Sequence, residues 1–341
     1  MMKMHRITQV PLFNILLFVV ATVVTISEFC FGNDPRPSSD TPFRVEPQPH
    51  MSRRAKRKAR RRGTYQAFET FDNQSDSLIT SQSPDVHKDQ PYRDDCLPCQ
   101  HFDIYLPQGC HSELPLVIWI HGTTWRNGTR DDCPITWLTN EGYAVASIGY
   151  RLSSEATFPA QVHDCLSAIA ILKEKAEVWG IDPEKICLAG ASAGGHLAAL
   201  SGLWNESIAN GYLPHVASIG IFGSPTHLTT LGPEHDRSTS PASLLIGGPL
   251  PEFREAAQRA SPLVHVNSDA PPILIVHGKA DEKVPPEQSK HFHSALEAAG
   301  IESYLVFVDA AHELPLTRSD QAGRAFLSFL KQTLDPAMNE R

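Results

Sequence analysis

The 341-residue chain is 41% hydrophobic and 20% charged, a composition typical of a globular protein with a full core rather than of a disordered chain. Its length suits one large α/β domain with additional sequence. The formal net charge is −8, and because residues 53–62 alone carry eight positive charges, the remainder sums to −16. An acidic body of this kind excludes a nucleic-acid-binding fold and a nucleic-acid partner.

The first 32 residues have the pattern of a secretory signal peptide. Basic residues such as Lys3 and Arg6 precede an apolar run over residues 11–26, and small residues follow near Gly32. The run of about 16 residues is short for a membrane-spanning helix, although an uncleaved membrane anchor is an open alternative. We therefore expect the protein to be secreted or periplasmic.

Residues 33–94 show no sustained periodicity and are rich in Pro, Ser, Asp, Gln and charge, which predicts a disordered linker. The basic run inside this linker, residues 53–62, has three interpretations. It is a solvated, self-repelling segment, or it attaches the protein to an acidic polymer or membrane surface. A nuclear signal is the least consistent interpretation, because the export signal contradicts it.

Strands and helices alternate after the linker, which predicts one domain over residues 95–335. The predicted strands are 102–106, 116–120, 143–148, 185–189, 216–221, 272–277 and 304–308. The predicted helices are 134–140, 162–178, 196–200, 287–299 and 320–334. Parallel strands with helical crossovers imply an α/β fold with a mostly parallel central sheet and helices on both faces. The stretch 224–262, rich in Pro, Gly and Ser, is expected to form a wall of the active-site mouth.

Six cysteines follow the predicted signal peptide, and an even number in an exported chain permits disulfides. Cys133 and Cys165 are one possible pair, although spacing alone does not give the connectivity. Cys187 lies in the middle of a predicted strand and is expected to be a buried thiol. Cys96 and Cys99 lack a second pair at zinc-site spacing, so we expect no metal there.

The sequence Gly190-Ala191-Ser192-Ala193-Gly194 matches a nucleophile elbow, Gly-x-Ser-x-Gly, between a predicted strand and a predicted helix. Such a turn strains the serine backbone, and side chains at the two glycines would crowd it. Ser192 is therefore the candidate nucleophile. The N–H of Ala193, at a helix N-terminus, is a candidate donor to an oxyanion. Alone, the motif is also compatible with an ordinary strand-to-helix turn.

A serine hydroxyl needs a base within hydrogen-bond reach and an acid that orients this base. Asp281 lies on the loop after the predicted strand 272–277 and is the candidate acid, with Glu282 as a local rival. His312 follows the last predicted strand on a turn of small residues and is the candidate base. The order serine, acid, histidine along the chain is the order of the α/β-hydrolases.

A further motif, His121-Gly122-Thr123-Thr124-Trp125, follows the predicted strand 116–120. With these motifs in this order, the chain resembles the esterase/lipase branch of the α/β-hydrolases that has an HGGG-type oxyanion loop. Its closest likeness is to secreted acetylxylan and feruloyl esterase-like enzymes. The resemblance covers residues 95–335, so it implies the α/β-hydrolase fold for the whole predicted domain.

The resemblance also implies roles for individual residues. Ser192 would be the nucleophile, His312 the general base and then acid, and Asp281 the orienting carboxylate. The oxyanion would be held by backbone N–H groups, which are those of Thr123 or Thr124 and of Ala193. Trp125 would bind substrate by lining the acyl or sugar site, unless this aromatic side chain simply packs.

Thr123 and Thr124 depart from the family, which usually has glycines at these positions. Threonine is β-branched and resists positive φ. If the loop needs that geometry, the oxyanion hole would be distorted, and loss of one donor costs about 10²–10³-fold in kcat.

We therefore expect a carboxylic-ester hydrolase that forms an acyl-serine intermediate and uses no metal or organic cofactor. The expected substrates, which follow from the resemblance, are short acyl or feruloyl esters of polysaccharides. One alternative is another hydrolase of this fold, namely an amidase, a formamidase or an exopeptidase. A second alternative is a binding protein whose hydrolase activity has decayed, which the Thr123-Thr124 departure suggests and the retained Ser192 argues against.

Overall fold

The computed structural model describes residues 83–109, 113–204 and 215–335. The predicted signal peptide, the basic run and most of the predicted linker lie outside these residues. None of the helices in the described part of the chain is both long and apolar enough to span a bilayer.

Eight strands of the described residues form one sheet, in the order β1-β2-β4-β3-β5-β6-β7-β8. Their bounds are β1 Asp85–Pro91, β2 His101–Leu106, β3 Leu114–Ile120, β4 Ala144–Ile148, β5 Ile181–Ala191, β6 Ser218–Phe222, β7 Ile273–Gly278 and β8 Ser303–Val308. The pairings β1–β2 and β2–β4 are antiparallel, and every pairing from β4–β3 to β7–β8 is parallel. The predicted, mostly parallel sheet is confirmed. The loops after β3, β5, β7 and β8 meet at its carboxyl edge.

The helices of the described residues lie between the strands and after the last one. The α-helices are α1 Ala160–Glu174, α2 Ala176–Trp179, α3 Ala193–Leu203, α4 Pro241–Ile246, α5 Arg254–Arg259, α6 Glu287–Ala299 and α7 Gln321–Leu334, and 3-10 helices span Thr136–Glu141, Leu228–Thr230 and Pro262–His265. The predicted helix 162–178 is thus two helices, because the chain leaves helical geometry at Lys175. The stretch 224–262, rich in Pro, Gly and Ser, contains the short helices α4 and α5.

Two hydrophobic clusters cover the two faces of the sheet. Along β3, Leu116 and Ile118 belong to one cluster, whereas Val117 and Trp119 belong to the other. This is the period-two alternation of a strand that is buried on both faces. The first cluster includes side chains of α1, α3 and α6, and the second includes side chains of α7. The prediction of helices on both faces is therefore confirmed.

The suggested pairing of Cys133 with Cys165 is wrong. Both are free thiols in the structure. Cys165 is buried in the first cluster and Cys133 packs against the second, so the sheet itself separates them. Cys187 is buried as predicted, and burial raises the pKa of its thiol to about 12.

The sheet begins earlier than predicted. β1 spans Asp85–Pro91, inside the range 33–94 that the sequence assigned to a disordered linker. This boundary is wrong because β1 is a polar edge strand whose side chains are mostly exposed, so it carries no apolar alternation. The domain in this structure therefore includes β1 and the following Tyr92, which is buried and donates its hydroxyl hydrogen to Gly149 O at 2.9 Å.

Candidate active site

Ser192 occupies a sharp turn between β5, which ends at Ala191, and α3, which begins at Ala193. Its φ of 53° and ψ of −121° fall in a sparsely populated region for a residue with a side chain. The Ser192 N–H donates to Phe222 O at 2.8 Å, and its carbonyl accepts from the His196 N–H at 3.0 Å. The predicted strand–turn–helix arrangement of the elbow is confirmed, and its backbone is held from both sides.

The glycines of the motif allow the strand and the helix to meet closely. A Cβ placed on Gly190 would lie 2.5 Å from the carbonyl carbon of Gly194, and a Cβ on Gly194 would lie 2.0 Å from Ile120 O. Both distances are too short for a real side chain. The elbow therefore needs glycine at both positions for reasons of space, as the sequence indicated.

His312 lies between Ser192 and Asp281, within hydrogen-bond distance of both. The His312 Nε2–Ser192 Oγ distance is 2.9 Å, and the His312 Nδ1–Asp281 Oδ2 distance is 2.8 Å. A carboxylate only accepts hydrogen bonds, so Nδ1 carries the hydrogen and Nε2 is free to accept the serine proton. Three side chains from the loops after β5, β7 and β8 thus converge at the carboxyl edge of the sheet.

The Asp281 carboxylate is buried and hydrogen-bonded through both oxygens. Its Oδ1 accepts from the Lys283 and Val284 N–H groups, each at 2.9 Å. Burial by itself would raise the pKa of this carboxyl, but hydrogen bonds from His277, His312 and the Val284 N–H lower it well below its usual range. Asp281 is therefore charged at neutral pH.

The rival acid Glu282 does not take this place. Its side chain is exposed, whereas the neighbouring Asp281 is the residue that contacts His312. Asp281 turns inward because its carboxylate closes the loop with two backbone hydrogen bonds, an Asx-type arrangement.

His277 is a neighbour of Asp281 that sequence reasoning missed. The ring is fully buried, and its Nε2 lies 2.9 Å from Val284 O and 3.2 Å from Asp281 Oδ2. Its Nδ1 lies 2.6 Å from Ser289 Oγ on α6. The only sequence signal was the position of His277 at the end of β7, four residues before the acid, and an apolar strand gave no reason to assign it a partner.

Gly223 lies directly against the acid–base pair. It has a φ of +53°, and a Cβ at this position would lie 3.4 Å from Asp281 Oδ2 and 3.7 Å from His312 Nδ1. The chain turns here at the end of β6 in a conformation that favours glycine.

The loop after β3 adopts the geometry that its threonines were expected to resist. Thr123, Thr124 and Trp125 have φ values of 69°, 60° and 57°. At the preceding Gly122, a Cβ would lie 2.7 Å from Ala191 O, so the loop runs directly against the elbow.

The candidate oxyanion donors lack protein acceptors. Among the described residues, the backbone N–H groups of Thr123, Thr124 and Ala193 donate to no protein group. Ala193 is also the first residue of α3, where the helix leaves N–H groups unsatisfied and favours negative charge. These N–H groups are therefore free to bind a ligand oxygen.

Trp125 is not placed as a substrate-binding surface. Its side chain is 4% exposed and belongs to the first hydrophobic cluster. The indole N–H donates to His196 Nδ1 at 3.2 Å. The prediction that Trp125 lines the acyl or sugar site is therefore corrected in favour of its alternative, that this aromatic side chain packs.

A protein-family model identifies the family of this chain. The BD-FAE family model matches residues 102–296, which is more than half of the chain. The chain belongs to the BD-FAE family. The matched range contains Ser192, Asp281 and the oxyanion loop, and it ends before His312.

Several relatives of this BD-FAE protein, and several solved structures that resemble it, are named as esterases. It is 30% identical over 258 residues to esterase LipC of Mycobacterium tuberculosis, an alignment that covers 71% of this chain and 64% of LipC. It is 27% identical over 231 residues to an isoprenylcysteine alpha-carbonyl methylesterase of Arabidopsis thaliana, covering 61% of this chain and 52% of that protein. The chain thus spans about half to two thirds of the length of these curated relatives.

The solved structure of a truncated carbohydrate esterase from gut microbiota superposes with a TM-score of 0.66 at 26% identity, covering 74% of this chain and 96% of that one. Esterase B from Lactobacillus rhamnosis superposes with a TM-score of 0.61 at 20% identity, which shows the shared fold. The α/β-hydrolase fold implied by the sequence is therefore confirmed.

Proposed function

We propose that this BD-FAE protein hydrolyses carboxylic esters through an acyl-enzyme formed on Ser192. The observation that carries the proposal is the hydrogen-bonded series Ser192–His312–Asp281, with distances of 2.9 and 2.8 Å. The esterases among its relatives support the same reaction. A decayed binding protein is disfavoured, because all three side chains are present and aligned.

In acylation, the Ser192 oxygen attacks the ester carbonyl carbon while His312 Nε2 accepts the hydroxyl proton. The Asp281 carboxylate holds the Nδ1–H and stabilises the imidazolium that forms. His312 then gives the proton to the leaving alcohol oxygen. In deacylation, a water molecule gives a proton to His312 Nε2 and attacks the acyl carbon. The bond between the acyl carbon and Ser192 Oγ then breaks, and His312 returns the proton to this oxygen, which releases the acid and restores Ser192.

The oxyanion of each tetrahedral intermediate is held by the backbone N–H of Ala193 and by that of Thr123 or Thr124. These groups have no competing protein acceptor within the described residues. Because the dipoles are fixed before the reaction, they stabilise developing charge without reorganisation.

For the substrate we propose esters of short acyl or feruloyl groups on polysaccharides. The superposition with a carbohydrate esterase from gut microbiota supports this class. A second superposition, with an acetyl ester-xyloside bifunctional hydrolase from Caldicellulosiruptor lactoaceticus at 21% identity, supports the shared fold alone. We also propose that the protein is exported, which would bring it to such polymers, and that its basic run contributes to surface attachment.

Esterase kinetics with the full chain test the reaction. We expect hydrolysis of p-nitrophenyl acetate by the wild type, and we expect Ser192→Ala to fold normally and lose the activity. A panel of acetylated xylan, feruloylated arabinose and the anilide analogue of the acetate then separates carbohydrate esterase, feruloyl esterase and amidase. Activity that Ser192→Ala leaves unchanged, or faster cleavage of the anilide than of every ester, would contradict the proposal.

A further inference from the structure

His196 is a buried imidazole that takes no part in the proton transfers described above. Its Nδ1 accepts from the Trp125 indole N–H at 3.2 Å, and its Nε2 donates to Ala260 O at 2.6 Å. Because an indole N–H only donates, Nδ1 carries no hydrogen and the ring is neutral. Burial lowers the pKa of His196 to about 4, and the nearby His265 acts in the same direction. The ring is therefore neutral at neutral pH, and its hydrogen bonds to Trp125 and Ala260 fix the tautomer.

Trp125 is the last of the three consecutive residues with positive φ in the oxyanion loop. Its carbonyl accepts from the Ser153 N–H at 2.8 Å, and its ring meets that of His196 edge-on, with centroids 5.1 Å apart. Left-handed φ costs about 1–2 kcal/mol per residue for side chains of this kind. Such a loop persists only where its surroundings hold it.

The backbone of His196 also contacts the nucleophile residue. Its backbone N–H donates to Ser192 O at 3.0 Å. One residue therefore contacts three parts of the site: the serine turn through its backbone, the oxyanion loop through Nδ1, and the segment at Ala260 through Nε2.

On the basis of the proposed function, we propose that His196 is a positioning residue that fixes the oxyanion loop beside the nucleophile through its hydrogen bond with the Trp125 indole. Neither ring needs to touch the substrate for this role. Loss of the hydrogen bond moves the Thr123 and Thr124 N–H groups away from the position of the oxyanion. The loss therefore lowers kcat and leaves KM nearly unchanged, since the donors act on the transition state.

Three substitutions of His196 separate the two hydrogen bonds. His196→Asn places an amide oxygen near the Nδ1 position and keeps an acceptor for Trp125. His196→Gln places an amide nitrogen near the Nε2 position and keeps a donor to Ala260. His196→Leu keeps neither. We expect kcat to fall about tenfold or more in the Gln and Leu variants, and less than about threefold in the Asn variant, because a misplaced donor costs part of the 10²–10³-fold effect of a lost one.

The partner substitution Trp125→Phe removes the indole N–H from the other side. We expect the double variant with His196→Leu to be no slower than the slower single variant, because both remove the same hydrogen bond. Thermal melting checks that each variant is folded. His293→Gln is the control, because His293 contacts Ser303 Oγ at 2.8 Å and Glu297 Oε1 at 3.7 Å, and neither of these residues belongs to the site.

The positioning role is overturned by a folded His196→Gln protein with the wild-type kcat. It is also overturned if the Asn variant is as slow as the Gln variant, or if the two single losses multiply in the double variant. If His196→Leu fails to fold, the comparison of Asn with Gln still decides. A failure of the proposed function is distinct, because there the wild type itself would not hydrolyse esters or Ser192→Ala would retain the activity.

Discussion

At the scale of single residues, the candidate site depends on backbone conformations that most side chains avoid. Ser192, Thr123, Thr124 and Trp125 all have positive φ. Each such residue costs free energy that the surrounding contacts must offset. The threonines do not prevent the loop geometry, so the departure from glycine reduces the stability of the fold and leaves the N–H groups in place.

The cost of the threonines is measurable by replacing Thr124 with glycine. We expect Thr124→Gly to leave the free energy of unfolding unchanged or to raise it by up to about 1 kcal/mol. The reason is that glycine adopts positive φ without the steric penalty of a β-branched residue. Thr157→Gly is the matched control, since Thr157 is exposed and does not have positive φ. The control should lose about 0.5–1 kcal/mol. Urea unfolding measures both, and equal losses in the two variants would show that the loop is unstrained.

A second residue-scale prediction concerns Asp281 and acid stability. The pKa of Asp281 lies below the value of about 3.9 for an unfolded chain. Its stabilisation is therefore present above that pH and is lost as the pH falls through the folded-state pKa. We expect the free energy of unfolding of the wild type to fall below about pH 4, and Asp281→Asn to show a shallower slope there.

The measurement is urea unfolding at a series of pH values between about 2.5 and 5, which spans the range where the unfolded carboxyl titrates. Asp309→Asn serves as the control, because this carboxylate is exposed and pairs with the exposed Lys279. Parallel slopes for Asp281→Asn and the wild type would contradict the assignment of a low pKa to Asp281.

At the scale of strands and helices, the sequence predicted site residues that lie at strand ends, but it did not predict contacts between residues far apart in the chain. The elbow, the acid and the base were all readable because each sits where a strand ends, and the strand pattern locates that point. His196 was missed because its partner Trp125 is 71 residues away in the chain. His277 was missed although Asp281 is only four residues away, because its place in an apolar strand gave no sign of a polar partner. Trp125 was misassigned because aromatic character alone does not tell packing from substrate contact.

Substitution of Gly223, which directly follows β6, tests how tightly the strand ends pack around the acid–base pair. We expect Gly223→Ala to lower the free energy of unfolding by about 1 kcal/mol through its positive φ and to reduce kcat several-fold, because a relaxing backbone pushes the new methyl group toward Asp281 and His312. Gly300→Ala is the matched control. Gly300 has a φ of +80°, and a Cβ there would meet nothing within 4 Å.

The control should therefore lose similar stability and keep the wild-type kcat. Chemical unfolding and ester kinetics on the same preparations give both quantities. If the two variants lose stability but neither loses kcat, Gly223 does not contribute to the geometry of the acid–base pair.

At the scale of the whole molecule, the sequence located the sheet and its helical layers but not the antiparallel edge strand β1. Buried parallel strands are continuous apolar runs and stand out, whereas β1 is polar and solvent-facing. What holds β1 is a set of long-range contacts. The Asp89 N–H and Arg130 Nε both donate to the buried Asp103 Oδ1 at 2.9 Å, and no local pattern reveals such a cluster.

Shortening the chain tests whether β1 belongs to the domain. A protein that begins at residue 95 lacks β1 and the buried Tyr92, and it leaves Asp103 with fewer partners. We expect it to be less stable by about 3 kcal/mol or more than a protein that begins at residue 83, since removal of one large buried aromatic side chain already costs this much. Equal melting temperatures would show that the earlier boundary at residue 94 was adequate.

The most direct measurement of the central claim is covalent labelling of the full chain with a fluorophosphonate, followed by mass spectrometry of its peptides. If His312 and Asp281 activate Ser192, a single adduct should form on the Ser192 hydroxyl, with Ser192→Ala unlabelled. Asp281→Asn should be labelled more slowly, by up to about 10⁴-fold, because the imidazole loses its orientation and its charge partner. An adduct on another residue, or equal labelling of Ser192→Ala and the wild type, would contradict the claim.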